Sequence, residues 1–92
     1  MKVRFLRSFA ESKGELEEPD QHDTDHAVDS LLSYFHAGQK THGLGLKKIH
    51  EHYWEIRVGL RIRVLFSLEK DILTFILVGD HDAIKRFLHH RP

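Results

Sequence analysis

Residues 53 to 68 contain two runs in which apolar and polar side chains alternate, and this alternation constrains the fold more than any other feature. Because successive side chains of a strand point to opposite faces, each run predicts a strand with one apolar face. These apolar faces carry Trp54, Ile56 and Val58 in the first run and Ile62, Val64, Phe66 and Leu68 in the second. The two runs therefore predict a β-hairpin that packs one face on a core.

The length of the hairpin loop decides whether the two apolar faces coincide. A two-residue loop would pair Val58 with Arg61 and mix charge into the apolar face. A three-residue loop over 59 to 61 pairs Val58 with Ile62 and keeps the apolar face continuous. We therefore predict the longer loop.

This hairpin register gathers three arginines around one turn. Arg57 lies opposite Arg63 on the polar face, and Arg61 lies at the corner. Like charges directly across a strand pair destabilise it by roughly a few tenths of a kcal/mol. A bound phosphate would convert that repulsion into affinity, so the cluster predicts an anion-binding site.

The basic and acidic side chains of this chain are equal in number, so any anion-binding site must come from a local cluster of positive charge. The 92 residues contain 14 basic and 14 acidic side chains and no cysteine, so we expect a single domain over 1 to 92 without disulfides. Binding of nucleic acid would depend on a local cluster rather than on net charge. No apolar run has the length of a membrane span, and the N-terminus lacks a secretory core. We therefore expect a cytoplasmic protein that does not contact a membrane.

The remaining elements follow from periodicity and capping signals. A short strand leads into a helix that begins near Ser8, residues 19 to 25 read as a polar connector, and a second helix is capped by Thr24 or Asp25 and ends at Gly38. Residues 39 to 48 read as a loop before the hairpin. An apolar strand over 72 to 78 and a final helix capped by Asp80 or Asp82 complete the chain. The predicted order is β-α-α-β-β-β-α, an α+β fold.

Three segments in this order resemble the RelE/ParE superfamily of bacterial toxins. The first is Leu46-Lys47-Lys48 with the strand over 53 to 58, the second is Gly59-Leu60-Arg61, and the third is the strand end over 77 to 82 followed by Phe87. The resemblance implies a curved antiparallel sheet with the N-terminal helical hairpin packed on one face. It also implies the toxin of a type II toxin-antitoxin pair.

For RNA-cleaving members, the resemblance implies an endoribonuclease that cuts mRNA, commonly on the ribosome, by attack of a 2′-hydroxyl on the adjacent phosphate without a cofactor. Such a reaction needs a base, an acid and fixed positive charge. Carried over by position, the candidate catalytic residues are Arg57, Arg61, His81 and Glu55. The candidate residues for binding RNA or an acidic antitoxin segment are Lys47, Lys48, Tyr53, Arg63 and Phe87. Asp80 and Asp82 are candidates to orient His81, whose imidazole has a pKa near 6.5 in the free state.

Two other functions stay open on the sequence. One is inhibition of DNA gyrase through protein contacts, as in ParE-like members, and the other is an orphan member that only binds an antitoxin, which the balanced charge favours. Glu55 can also simply pair with Arg57 or Arg63. His50 and His52 would share a face of an extended strand, but no third ligand stands at a defined spacing, so we expect no metal site.

Overall fold

The computed structural model describes residues 1 to 38 and 43 to 90. Its elements are β1 (Lys2–Phe5), α1 (Arg7–Gly14), α2 (Glu18–Ala37), β2 (Lys47–His50), β3 (Tyr53–Val58), β4 (Ile62–Glu69), β5 (Ile72–Gly79) and α3 (His81–His89). The strands form one curved, open sheet in the order β1-β5-β4-β3-β2, in which β1 pairs parallel with β5 and the other pairs are antiparallel. The α+β prediction is confirmed, with one strand more than predicted.

The additional strand is β2, which the sequence analysis placed in a loop. Lys47 and Lys48 pair with Glu55 and Trp54 of β3, and the register then shifts before His50. A four-residue strand with one apolar side chain gives almost no alternation, so only its pairing with β3 identifies it. The first part of the predicted loop, residues 39 to 42, lies outside the described residues.

The predicted hairpin register is confirmed. Val58 pairs with Ile62, and Arg57 pairs with Arg63 across β3 and β4. Gly59 has a φ of 69°, a left-handed conformation that glycine adopts without steric cost. The apolar face predicted for this hairpin therefore meets the core, and Trp54 packs against it.

Helix α2 begins earlier than predicted. Its first residue is Glu18, so Pro19 and the polar residues after it are helical rather than a connector. Proline fits the first turn because its missing N–H has no partner there in any case. The Thr24 hydroxyl donates to the Asp20 carbonyl oxygen at 2.8 Å inside the helix and does not cap it. Gly38 ends the helix with a φ of 65°, as predicted.

Helix α1 lacks the side-chain cap predicted at Ser8. Its N-terminal boundary is Leu6, and no side chain accepts a hydrogen bond there. The Ser8 hydroxyl instead donates to the Ile76 carbonyl oxygen at 2.6 Å. This contact ties the helix to β5, so tertiary packing uses the hydroxyl that local capping rules assign to the helix.

Apolar clusters cover both faces of the sheet. Helices α1 and α2 pack on one face over a cluster that includes Leu31, Ile56, Val64, Phe66, Leu73 and Phe75. Helix α3 packs on the other face over a smaller cluster built on Leu65, Ile76 and Ile84. Strand β5 lies between β1 and β4, which agrees with its apolar sequence. No helix of the described segments is long and apolar enough to cross a membrane.

Candidate active site

The face of the sheet that carries α3 also carries the polar side chains of β2, β3 and β4. Lys47 is in register with Glu55, and Arg57 is in register with Arg63. Because side chains alternate between faces, these four residues share the face opposite α1 and α2. His81 joins them as the first residue of α3.

These five side chains surround one open cavity of about 580 Å³. Its lining residues are Gly45, Leu46, Lys47, Ile49, Glu55, Arg57, Arg63 and His81. The cavity thus joins three cations, one carboxylate and one imidazole from four different elements. The hairpin register predicted that Arg57 and Arg63 lie side by side, and the family resemblance added Lys47, Glu55 and His81 to the candidate residues. In the structure all five line the same cavity.

Glu55 and Arg63 form an ion pair inside this cavity. The Arg63 Nε atom lies 3.2 Å from Glu55 Oε2, and the two side chains are 15% and 13% exposed. The pairing matches one of the two roles that the sequence leaves open for Glu55, an ion pair with Arg57 or Arg63. Glu55 thus neutralises Arg63. The other two cavity cations, Lys47 and Arg57, make no ion pair with a described residue.

Gly45 lies against the side chain of Arg57. This contact was not predicted from the sequence. A Cβ atom on Gly45 would lie 3.0 Å from both Cγ and Cδ of Arg57, and the residue has a φ of 61°. The Arg57 amide also donates to the Leu44 carbonyl oxygen at 2.6 Å. The loop before β2 therefore lies against the aliphatic part of Arg57, and a side chain at position 45 would require Arg57 to shift and would be strained by the positive φ.

Arg61 lines a second, adjoining hollow rather than the main cavity. This hollow of about 320 Å³ also contacts Leu60, Arg63, Asp80, His81 and Asp82. Arg63 and His81 border both spaces, so the two spaces are neighbours at these residues. An extended anion that lies across His81 would contact Arg57 on one side and Arg61 on the other.

The start of α3 lies at the boundary between these spaces. Asp80 Oδ1 accepts a hydrogen bond from the Ala83 amide at 2.8 Å. This carboxylate therefore caps the helix, as predicted for one of the two candidates, and the hydrogen bond serves the cap rather than the orientation of His81. His81 is exposed at the positive end of the helix dipole, where a negative charge is favourable.

Three predicted binding residues lie elsewhere. Lys48 is in register with Trp54, so it points to the face of α1 and α2, and Lys47 is the lysine that faces the cavity. Tyr53 and Phe87 line a separate hollow on the same face as the cavity. Their rings contact each other edge to face, with centroids 6.0 Å apart.

Metal ligands do not converge within the described parts of the chain. Across residues 1 to 38 and 43 to 90, no three His, Asp or Glu side chains are placed to hold one ion. Glu51 has a φ of 53°, so the segment from His50 to His52 turns rather than continuing as a strand. The two imidazoles thus do not form the extended pair that the sequence analysis considered.

Comparisons with known proteins identify the fold. No family model and no curated protein matches the sequence. The RelB-RelE antitoxin-toxin complex from Methanococcus jannaschii matches over 92% of this chain and 98% of that chain, with 20% identity and a TM-score of 0.68. YafQ from E. coli matches over 90% and 96%, with 11% identity and a TM-score of 0.66. The YoeB/ParE toxin from Agrobacterium tumefaciens matches over 88% and 99%, with 11% identity and a TM-score of 0.65.

These similarities extend over almost the whole of each chain and define a class of small α+β proteins with a curved, open sheet. Within that class, the protein has the fold of the RelE-like toxin superfamily.

Proposed function

We propose that the protein is the toxin of a type II toxin-antitoxin pair and that it cleaves mRNA without a metal ion. The observation that supports this proposal best is the single cavity that contains Lys47, Glu55, Arg57, Arg63 and His81. It combines groups able to transfer protons with cations able to hold a phosphate. The RelE-like fold supports the same function, because the similar structures include toxins and their antitoxin complexes.

The proposed reaction is attack of a 2′-hydroxyl on the adjacent phosphate. Glu55 accepts the hydroxyl proton, while Arg63 shifts from the carboxylate to the phosphate oxygens. The new bond joins the 2′ oxygen to phosphorus, and the bond from phosphorus to the 5′ oxygen breaks. His81 donates a proton to that departing oxygen. Arg57 and Lys47 stabilise the charge of the phosphorane, with Arg61 holding the strand beyond His81.

The proposed partner is an antitoxin with an acidic segment. The similar structures include a complex of RelB with RelE and a complex of DinJ with YafQ. An acidic segment that lies over Arg57 and Arg61 would occupy the phosphate positions and block the cavity. Because the substrate is mRNA, we place the protein in the cytoplasm, where it acts either on free mRNA or on the ribosome.

The proposal is tested by following a reporter mRNA in a translating extract that receives purified protein. We expect site-specific cleavage that persists in EDTA-treated protein and stops when the nucleotide before the cut lacks its 2′-hydroxyl. The double variant Arg57→Ala, His81→Ala should lower the cleavage rate by at least 100-fold. His89→Ala, an exposed histidine at the other end of α3, is the matched control and should cut normally.

Lys47→Ala and Lys48→Ala provide a second matched pair on one strand. Only Lys47 faces the cavity, so only its loss should slow cleavage. If the Arg57 and His81 double variant cuts as fast as the unmodified protein, the assigned chemistry is wrong. Intact mRNA with inhibited gyrase supercoiling would select the ParE-like function, and antitoxin binding without either activity would select the orphan function.

A further inference from the structure

A hollow of about 530 Å³ lies at the corner of the hairpin between β3 and β4, beside the start of α2. We call it the corner hollow. Its lining residues are Leu16, Asp20, Asp23, Val58, Gly59, Leu60, Arg61, Ile62, Gly79 and Asp80. None of them lines the cavity that contains His81, and Arg61 is the one that the proposed reaction uses.

The apolar part of the corner hollow comes from four side chains. Val58 and Ile62 are paired across β3 and β4, and Leu16 lies between α1 and α2. These three side chains are buried or half-buried, but Leu60 is 95% exposed and so contacts almost nothing of its own chain. A single exposed leucine is common, whereas one that continues an apolar hollow forms the kind of patch that marks an interaction site.

The rim of the corner hollow is acidic. Asp20 and Asp23 lie one turn apart near the start of α2, and Asp80 lies at the end of β5. The side chains of Asp20 and Asp23 make no ion pair or hydrogen bond with a described residue. The cation of the hollow, Arg61, also lines the adjoining hollow beside His81. Three carboxylates against one guanidinium leave the corner hollow with excess negative charge.

This charge decides which occupant fits. The carboxylates repel both the phosphates of RNA and the acidic segment proposed for the antitoxin. They do not form a metal site, because no three His, Asp or Glu side chains within residues 1 to 38 and 43 to 90 are placed to hold one ion. A lysine or arginine side chain matches both parts of the hollow, since its aliphatic stem covers apolar surface while its charged end reaches the rim.

We propose that the corner hollow binds a segment of a partner protein in which basic and apolar side chains alternate. A basic side chain of that segment pairs with Asp20 and Asp23, and its stem lies on Ile62. The apolar side chain next to it covers Leu60. The site goes beyond the proposed function, because neither these carboxylates nor Leu60 takes part in RNA cleavage.

The test is a titration of the full chain, with ¹³C-labelled methyl groups, by the synthetic peptide Ac-Arg-Leu-Lys-Leu-Arg-amide. We expect the methyl signals of Leu16, Leu60 and Ile62 to shift. The signal of Ile49, which lines the cavity with His81, should not shift. The control peptide Ac-Glu-Leu-Glu-Leu-Glu-amide has the same leucines and should leave the corner signals unchanged. Added salt should weaken the basic peptide, because its ion pairs are exposed.

A matched pair of double variants tests the acidic rim. Asp20→Asn with Asp23→Asn should weaken the basic peptide by about 3- to 30-fold, the range for loss of two exposed ion pairs. Glu15→Gln with Glu18→Gln makes the same change of net charge just outside the hollow. At physiological salt this second variant should bind the peptide like the unmodified protein, because screening limits the action of distant charges.

Leu60 provides a test of the apolar part. Leu60→Ser should weaken the basic peptide by about 3- to 20-fold, as expected when part of one leucine side chain is no longer covered. Leu60→Met keeps an apolar side chain of similar size and should bind normally. Because Leu60 is 95% exposed, neither substitution removes a core contact, so both variants should fold.

Three outcomes would overturn the proposal. The first is equal shifts of the corner signals with the basic and the acidic peptide, or equal affinities for the two double variants. The second is a shift of these signals with protein concentration alone, together with a dimer in sedimentation, which would make a second copy the occupant. The third is a shift of the same signals by a short RNA in place of the peptide. Each readout is independent of mRNA cleavage, so failure of this inference is distinguishable from failure of the proposed function.

Discussion

At the scale of single residues, the largely buried ion pair between Glu55 and Arg63 is a contact whose loss should be measurable. Glu55→Gln leaves the Arg63 charge largely buried beside Arg57, without its counter-ion. We expect the free energy of unfolding in urea to fall by about 1–3 kcal/mol, less than for a fully buried pair because both side chains keep some solvent contact.

The matched control for this pair is Glu11→Gln, since Glu11 pairs with Arg7 at 3.3 Å on the exposed face of α1. Its loss should change the free energy of unfolding by less than about 1 kcal/mol. Equal effects of the two substitutions would mean that Glu55 does not neutralise Arg63 in solution.

Gly45 allows a second residue-scale test, because another glycine of the same loop controls for backbone strain. Gly43 and Gly45 both have positive φ, but a Cβ atom on Gly43 would meet nothing within 4 Å. Both alanine variants should therefore lose about 1 kcal/mol of stability in urea. Only Gly45→Ala should displace Arg57 and weaken RNA binding. Equal RNA affinities for the two variants would show that Gly45 does not position Arg57.

At the scale of elements, the junction between β5 and α3 places His81. Gly79 ends the strand, and a Cβ atom there would lie 2.9 Å from the Ala83 Cβ atom. Helix α3 thus begins directly against the strand end. This close approach, together with the Asp80 cap, fixes the first turn of the helix beside the cavity, where His81 lines it.

The cap of α3 can be tested by thermal or urea unfolding. Asp80→Ala removes the acceptor for the Ala83 amide and should reduce the free energy of unfolding by about 1 kcal/mol. Asp82→Ala removes a charge from the same turn but no capping bond, so its effect should be a few tenths of a kcal/mol. An Asp82 effect as large as that of Asp80 would contradict the assigned cap.

At the scale of the whole molecule, opposite charges occupy different regions. The acidic side chains between residues 11 and 29 lie on α1, α2 and their connection, while the cavity cations belong to β2, β3 and β4. The chain has no net charge, so the proposed binding of RNA would depend on a few cations rather than on a broad positive surface.

Salt dependence measures how many cations contact the RNA. Lys47, Arg57 and Arg61 make no ion pair with a described residue, so we expect a plot of log affinity against log salt with a slope of about −2 for single-stranded RNA. Lys47→Ala should reduce the slope by about 0.7, while Lys48→Ala should leave it unchanged. A slope near zero would exclude the proposed phosphate contacts.

The amino-acid sequence by itself determined the features that depend on local periodicity. Alternation and the position of Gly59 were enough to predict the pairing of Arg57 with Arg63. Gly38 marked the end of α2 correctly, and the start of α3 was narrowed to two candidate caps, of which Asp80 is the one in the structure. In each case the signal comes from residues that are neighbours along the chain. The strand register is fixed because a slip of one residue would turn the apolar face toward solvent.

Only the tertiary structure decided the features that depend on pairing across the chain. Strand β2 is defined by its pairing with β3. The register of that pairing decides that Lys47, and not Lys48, faces the cavity. Three other features likewise join residues from different elements. They are the ion pair between Glu55 and Arg63, the contact of Gly45 with Arg57, and the hollow that Tyr53 and Phe87 line. Such contacts leave no periodic pattern, because their energy comes from packing between segments rather than from the order of neighbours within one.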